Sequence, residues 1–132
     1  MVERKLVVIE SPLRGETGTP EEYARNRRYA IACWHDSRER GEAPYASHIF
    51  IAQPDLLDDT IPEQREQGIA IGLAWGEAAV LRAVYVDFGV SSGMQQGITA
   101  AALLRQTVER RTLPADVLAR VLAGEGGEGV SG

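Results

Sequence analysis

Short apolar runs alternate with capped helical segments along this chain, and that alternation restricts the fold more than any other feature. Lys5–Ile9 (KLVVI) is a continuous apolar run that stops at Ser11-Pro12. A run without polar alternation suits a strand buried on both faces, as in a parallel sheet. Thr19-Pro20-Glu21-Glu22 then opens a helix. Thr19 is placed to cap, Pro20 fits the first helical position and Glu22 completes a T-x-x-E box. The helix is predicted to run to about Arg40, with Gly41 ending it.

The same grammar repeats. Pro44–Ala52 (PYASHIFIA) predicts a second strand carrying His48, followed by an acidic loop over Asp55–Thr60. Thr60-Ile61-Pro62-Glu63 restates the cap-and-proline pattern and starts a helix ending near Ala79. Val80–Phe88 predicts the third strand. Ser92-x-x-Gln95 is a further capping box, with a helix to about Arg105. Thr107–Thr112 predicts a fourth, more exposed strand, and Pro114–Ala123 a last short helix in which the ordered domain, residues 1–123, ends. The Gly-rich stretch 124–132 is expected to be a disordered tail. The order βαβαβαβα implies an α/β fold: a Rossmann-like three-layer sandwich, with a parallel sheet of about four strands and helices on both faces.

Charge and composition narrow the partners. A net charge of −5 argues against a general nucleic-acid-binding surface, while leaving room for a local basic pocket. No run of 18 apolar residues is present, so no membrane span is expected. The first residues, MVERKLVVIESP, lack the long apolar core of a signal peptide. The single cysteine, Cys33, excludes an internal disulfide, is compatible with a reducing, cytoplasmic setting, and reads as a structural residue. Trp75 is expected in the core, where the second long helix meets the sheet.

In open parallel sheets ligands bind outside the carboxyl ends of the strands. Three segments of this chain meet there. Ser91, Ser92 and Gly93 precede or open a helix whose first N–H groups lack internal partners, a setting that favours an anion. In Ser11-Pro12-Leu13-Arg14-Gly15, Arg14 offers a planar fork for phosphate and Gly15 an unusual backbone angle. The plain alternatives are a capped turn and a surface arginine. His48, Asp58 and Asp59 belong to the third segment, and one histidine with scattered aspartates has no metal-ligand spacing, so no metal or cofactor is expected.

Several short patterns in order carry a resemblance: ESPLRG after the first strand, Asn26 and Ala30 in the first helix, and Pro44, Ala46 and His48 in the second strand. Leu57 to Gly68 (LDD-x-x-P-E-x-R-E-x-G) and Asp87 to Met94 (D-x-G-x-S-x-G-M) complete it. Over about residues 5–113 the chain resembles a phage and bacterial family of small uncharacterised proteins. That family is similar to the nucleoside 2-deoxyribosyltransferases and the 2′-deoxynucleoside 5′-phosphate N-hydrolases. The resemblance implies a small-molecule nucleotide or ribose-phosphate ligand and a homo-oligomer. Its phosphate would be held by Ser11, Arg14, Gly15, Ser91, Ser92 and Gly93, with Pro12, Asn26, His48, Met94 and Gln95 around the pocket. It also implies weak or absent catalysis, because the position of the family's nucleophilic glutamate is Gly97 and that of a supporting aspartate falls at Gly72. The alternatives are an active N-glycosidase or deoxyribosyltransferase using another carboxylate (Asp87, then Asp58 or Asp59) and a structural or oligomerising domain.

Overall fold

β1 (Leu6–Glu10), β2 (Ala43–Tyr45), β3 (Leu81–Tyr85) and β4 (Thr107–Arg111) form one all-parallel sheet in the order β2-β1-β3-β4. These elements come from a computed structural model that describes residues 3–15, 17–50, 53 and 55–125. The expected tail therefore lies almost wholly outside the described residues, as do the last two positions of the expected second strand. The helices are α1 (Pro20–Glu39), α2 (Ser47–Phe50), α3 (Pro62–Gly76), α4 (Ser92–Leu103) and α5 (Ala115–Leu122). None of the described helices is long and apolar enough to cross a membrane.

Strand alternation sorts side chains to two faces. Val7 and Ile9 of β1 and Ala83 and Tyr85 of β3 join Tyr29, Ala32 and Cys33 of α1 and Val121 of α5 in the main core. Val8, Glu10 and Arg82 face the other way, toward α3 and α4. The fold is thus a three-layer, Rossmann-like α/β arrangement. The chain steps from β1 outward to β2 and then back across to β3, so the strand order reverses between β1 and β3.

Local sequence explains much of this. Thr19 caps α1 as expected, its hydroxyl accepting from the Glu22 amide at 3.2 Å. Four details differ. The second strand stops at Tyr45, and the chain turns into the helical turn α2, so His48 is helical rather than extended. The reason is tertiary: α2 seats against α3, where Ser47 lies over Gly72. Thr60 does not cap α3. Ile61 stands at the cap without a side-chain bond, while Asp58 accepts from the amide and hydroxyl of Thr60 and closes its own turn. The cap of α4 is Ser91, not Ser92: its hydroxyl accepts from the Met94 amide at 3.2 Å, and the Met94 sulfur accepts from the Ser91 amide.

The fourth difference concerns Trp75, which is 66% exposed rather than in the core. Gly72 and Gly76 are the buried residues of α3. Four residues apart, they share one face of the helix and bring its backbone close to Ser47 and Arg82. A helix held in that phase turns Trp75 outward, where its ring lies 6.3 Å from the Tyr45 ring between centroids.

Candidate functional site

The strand ends decide where a site can form. A cavity of about 250 Å³ opens at the carboxyl ends of β1 and β3, the point where the strand order reverses. The loop after β1 supplies Ser11, Leu13, Arg14 and Gly15, α2 supplies Ser47 and His48, and α3 supplies residues from Gln64 to Leu73. The start of α4 closes it with Ser91 to Met94, and Val8, Glu10 and Arg82 make the floor. Three guanidiniums, those of Arg14, Arg65 and Arg82, line it against two carboxylates, Glu10 and Asp59.

At the α4 end, Ser91 and the first helical amides face this space. The Met94 amide is taken by the Ser91 hydroxyl. The amides of Ser92 and Gly93 have no protein partner among the described residues. No acidic side chain occupies the first turn of α4, whereas Glu21 and Glu22, Glu63 and Asp116 stand in the first turns of α1, α3 and α5. The dipole of α4 is therefore uncompensated where it meets the cavity.

Arg14 lines the same cavity, but its fork is already engaged. Nε donates to Asp59 at 2.8 Å and Nη2 donates to the other carboxylate oxygen at 2.5 Å, while the guanidinium lies 4.2 Å from the Tyr23 ring centroid. The hydrogen bond to Asp59 holds the Arg14 pKa above its ordinary value. Asp59 thus acts as an orienting partner that fixes the guanidinium against the loop. What remains for a guest is the outer edge of the group, at Nη1.

The floor holds residues that the sequence reading did not single out. Arg82, 2% exposed, donates to Glu10 at 2.7 Å and to Gln106 at 3.2 Å, and its Nε is buried without a partner among the described residues. Gln106 in turn donates to the carbonyls of Gly76 and Ala79. Burial raises the Glu10 pKa to about 7, with the attraction of Arg82 opposing that rise. The carboxyl group lies directly against Gly97. A Cβ built at that position would overlap it, so the absence of a side chain at residue 97 is what admits Glu10. The same holds at Gly72, where a Cβ would stand 2.7 Å from the Ser47 hydroxyl. Both positions that read as missing carboxylates are occupied by side chains from elsewhere in the chain.

Ser11 and His48 form a second polar pair on the wall, with Oγ 2.6 Å from Nε2. Burial lowers the His48 pKa to about 4, so the ring is neutral at pH 7. A neutral imidazole beside a hydroxyl can position a guest's hydroxyl without adding charge.

Other expected residues lie apart. Asp87 does not line the cavity. Its carboxylate accepts from the Tyr29 hydroxyl at 2.7 Å and the Leu113 amide at 3.0 Å, which ties the end of β3 to α1 and to the lead into α5. That role uses the group structurally and removes it as a candidate in this pocket. Asp58 is exposed and spent on its own turn. Asn26 is fully buried and donates to the Leu13 carbonyl at 3.1 Å, so it shapes the first loop from behind. Pro12 is buried off the cavity, and Gln95 faces the outer groove between α3 and α4. Cys33 is buried in the core, where desolvation pushes its pKa up. Among the described residues no three His, Cys, Asp or Glu side chains gather as a metal site.

A signal for the missed residues was present. Glu10 and Arg82 are charged residues inside or ending otherwise apolar strands, LVVIE and LRAVY. Buried charges of this kind are rare unless paired.

The fold and this site define a class: a parallel α/β protein with a pocket that carries three arginines at the switch point of its sheet. The chain belongs to the family described as Domain of unknown function (DUF7768), whose model matches residues 5–111. That span begins one residue before β1 and ends with β4, so it takes in every wall of the cavity. No curated protein and no solved structure matches the chain.

Proposed function

We propose that the cavity binds a small nucleotide-like or ribose-phosphate ligand. One observation carries this reading: Ser92 and Gly93, whose amides have no partner among the described residues, and Arg14, whose Nη1 is left over from its pairing with Asp59, line the same cavity. Helix N-termini favour anions through both the free N–H groups and the dipole. The excess of guanidinium over carboxylate along the lining adds to that preference. A cavity of about 250 Å³ lies just below the usual range of ligand sites, which suits a pentose phosphate with any base reaching toward the rim. Ser11, His48 and Ser47 supply neutral partners for sugar hydroxyls. The resemblance to the deoxyribosyltransferases and phosphate N-hydrolases supports the same ligand class. With it comes the expected homo-oligomer, while the single buried cysteine accords with the expected cytoplasmic setting.

Titration calorimetry with nucleoside 5′-monophosphates, pentose 5-phosphates and inorganic phosphate tests the proposal. Binding is expected for at least one phosphorylated sugar, weakened about tenfold or more by Arg14→Ala, the order of one charge-assisted hydrogen bond. Gly93→Pro removes one amide donor at a helical position that tolerates proline, and is expected to weaken binding comparably. Failure of the whole panel to bind, or equal binding by both variants, defeats the reading.

Turnover is a second reading, and one specific observation favours it. A carboxyl group does reach the pocket, that of Glu10, although residue 97 has none to offer.

A further inference from the structure

We infer that Glu10 is the catalytic carboxylate of this pocket, acting as a general base at the anomeric carbon of a bound sugar phosphate. The inference deepens the ligand proposal above and rests on it. Three features of the structure carry it.

The first is placement. Glu10 is the last residue of β1, at the strand end where the cavity opens, and its carboxyl group occupies the space that a side chain at Gly97 would fill. It therefore stands against α4, three residues along the helix from Met94 and one turn below the unpartnered amides. A guest whose phosphate takes those amides shares the cavity with Glu10, one turn further along α4.

The second is construction. A carboxyl group in an apolar sheet is costly unless it is held. This one is held by Arg82, itself 2% exposed, which Gln106 braces from the far side. Arg82 also keeps one buried nitrogen, Nε, without a partner among the described residues. A native interior rarely leaves such a donor unsatisfied. A floor assembled only for stability gains nothing from it, since an apolar residue there would be as stable or more so.

The third is proton affinity. Burial brings Glu10 to about 7, where a group can both take and return a proton. The charged or titratable groups that border it in the cavity are Arg82 of β3, His48 of α2, Arg65 of α3, and Arg14 and Asp59 of the loops, while α4 presents the uncharged Gln96 and Gly97. His48 is neutral at that pH and adds no competing charge.

The step balances with water as the one co-reactant. Glu10 takes a proton from a water as the water oxygen bonds to the anomeric carbon. The bond from that carbon to the nitrogen of the base breaks, and its electron pair leaves with the base. The proton held by Glu10 then passes through solvent to that nitrogen, which yields the free sugar phosphate, the free base and the original carboxylate.

Base release from a panel of nucleoside 5′-monophosphates, measured with the full chain and with Glu10→Gln, tests the inference. The variant keeps the shape and the hydrogen bond to Arg82, and an unchanged far-UV circular dichroism spectrum with a urea midpoint no lower than that of the parent confirms its fold. Turnover is expected to fall about 100-fold or more, within the usual range for a lost general base, while the dissociation constant for the ligand moves only a few-fold. The rise of the parent's rate with pH through about 7 should vanish with it. A nucleotide that binds but is never cleaved by the parent, or is cleaved equally by Glu10→Gln, overturns the role of Glu10 and leaves the ligand proposal standing. A panel that does not bind at all overturns both.

Discussion

Two buried arginines on opposite faces of one sheet, each paired with a glutamate, are finished in different ways. Arg111 of β4 donates to both carboxylate oxygens of Glu42 at 2.8 and 2.7 Å, to Glu109 at 2.6 Å and to the Tyr85 hydroxyl at 3.3 Å. Ser37 and Asp36 of α1 complete that cluster, Ser37 donating to Glu42 and Asp36 accepting from Tyr85. Arg82 of β3 has one bond to Glu10, one to Gln106 and an orphaned Nε. The two glutamates answer accordingly. The hydrogen bonds from Arg111 pull the Glu42 pKa below its ordinary value, whereas burial pushes that of Glu10 up to about 7. Full satisfaction of a buried ion pair serves stability and a unique fold. Incomplete satisfaction leaves polar capacity for something else.

The sharpest way to break this contrast is to remove each arginine in turn. Arg111→Ala strands Glu42 and Tyr85 and is expected to cost about 3–5 kcal/mol in urea unfolding at pH 6, the order of a broken buried pair. Arg82→Met is expected to cost less, about 1–2 kcal/mol under the same conditions, because Glu10 can hold a proton instead of an uncompensated charge. Equal losses would show that the two clusters are built alike.

A smaller effect lies in the pH dependence. Glu10 stays protonated in the folded state up to about 7, against 4.5 for an ordinary glutamate. The folded state therefore binds the extra proton between those values. The stability this contributes is present below 4.5 and is lost as pH rises toward 7. Glu10→Gln has no proton to lose, so it should gain on the parent across that window, by up to roughly 3 kcal/mol. His48 works in the opposite sense in both proteins, since its folded pKa of about 4 makes stability rise with pH up to about 6.5. It cancels in the difference. A flat difference between parent and variant from pH 4.5 to 7 would place Glu10 in an ordinary, solvated setting.

The smallest expected effects come from two serines. Ser37 is fully buried and donates to Glu42, so Ser37→Ala should cost about 1 kcal/mol. Ser11→Ala should cost less in thermal unfolding, because its partner His48 borders the open cavity, where water can replace the hydroxyl. The reverse order would mean that the pocket wall, not the Arg111 cluster, carries the polar stability of the molecule.

Much of the framework was legible because it depends on local signals. The apolar runs at Leu6–Glu10 and Leu81–Tyr85, the Thr19 cap and the closing role of Gly41, in the left-handed region at φ 87°, each follow from a few neighbouring residues. The second strand was overextended because PYASHIFIA has strand-like composition, and only the seat of α2 against α3 turns its second half helical. Trp75 was misplaced for a related reason: composition puts a tryptophan inside, but the glycines at 72 and 76 set the helix phase. The loop and helix-start residues that line the cavity stand out in the sequence because their chemistry is local. Arg14 with Asp59, and Ser11 with His48, are partners 45 and 37 residues apart, and no short pattern announces them.

By itself, then, the sequence determined the alternation of strands and helices, the parallel sheet and the edge at which a ligand site would lie. Hydrophobic period and end-capping act over a few residues, and handed crossovers leave little choice of topology. Only the tertiary structure decided which carboxyl group enters the pocket. Gly97 reads as a deficit in one dimension. In three it is the space that Glu10 fills from a strand 87 positions away, because a carboxylate acts through where it is held and not through where it stands in the chain.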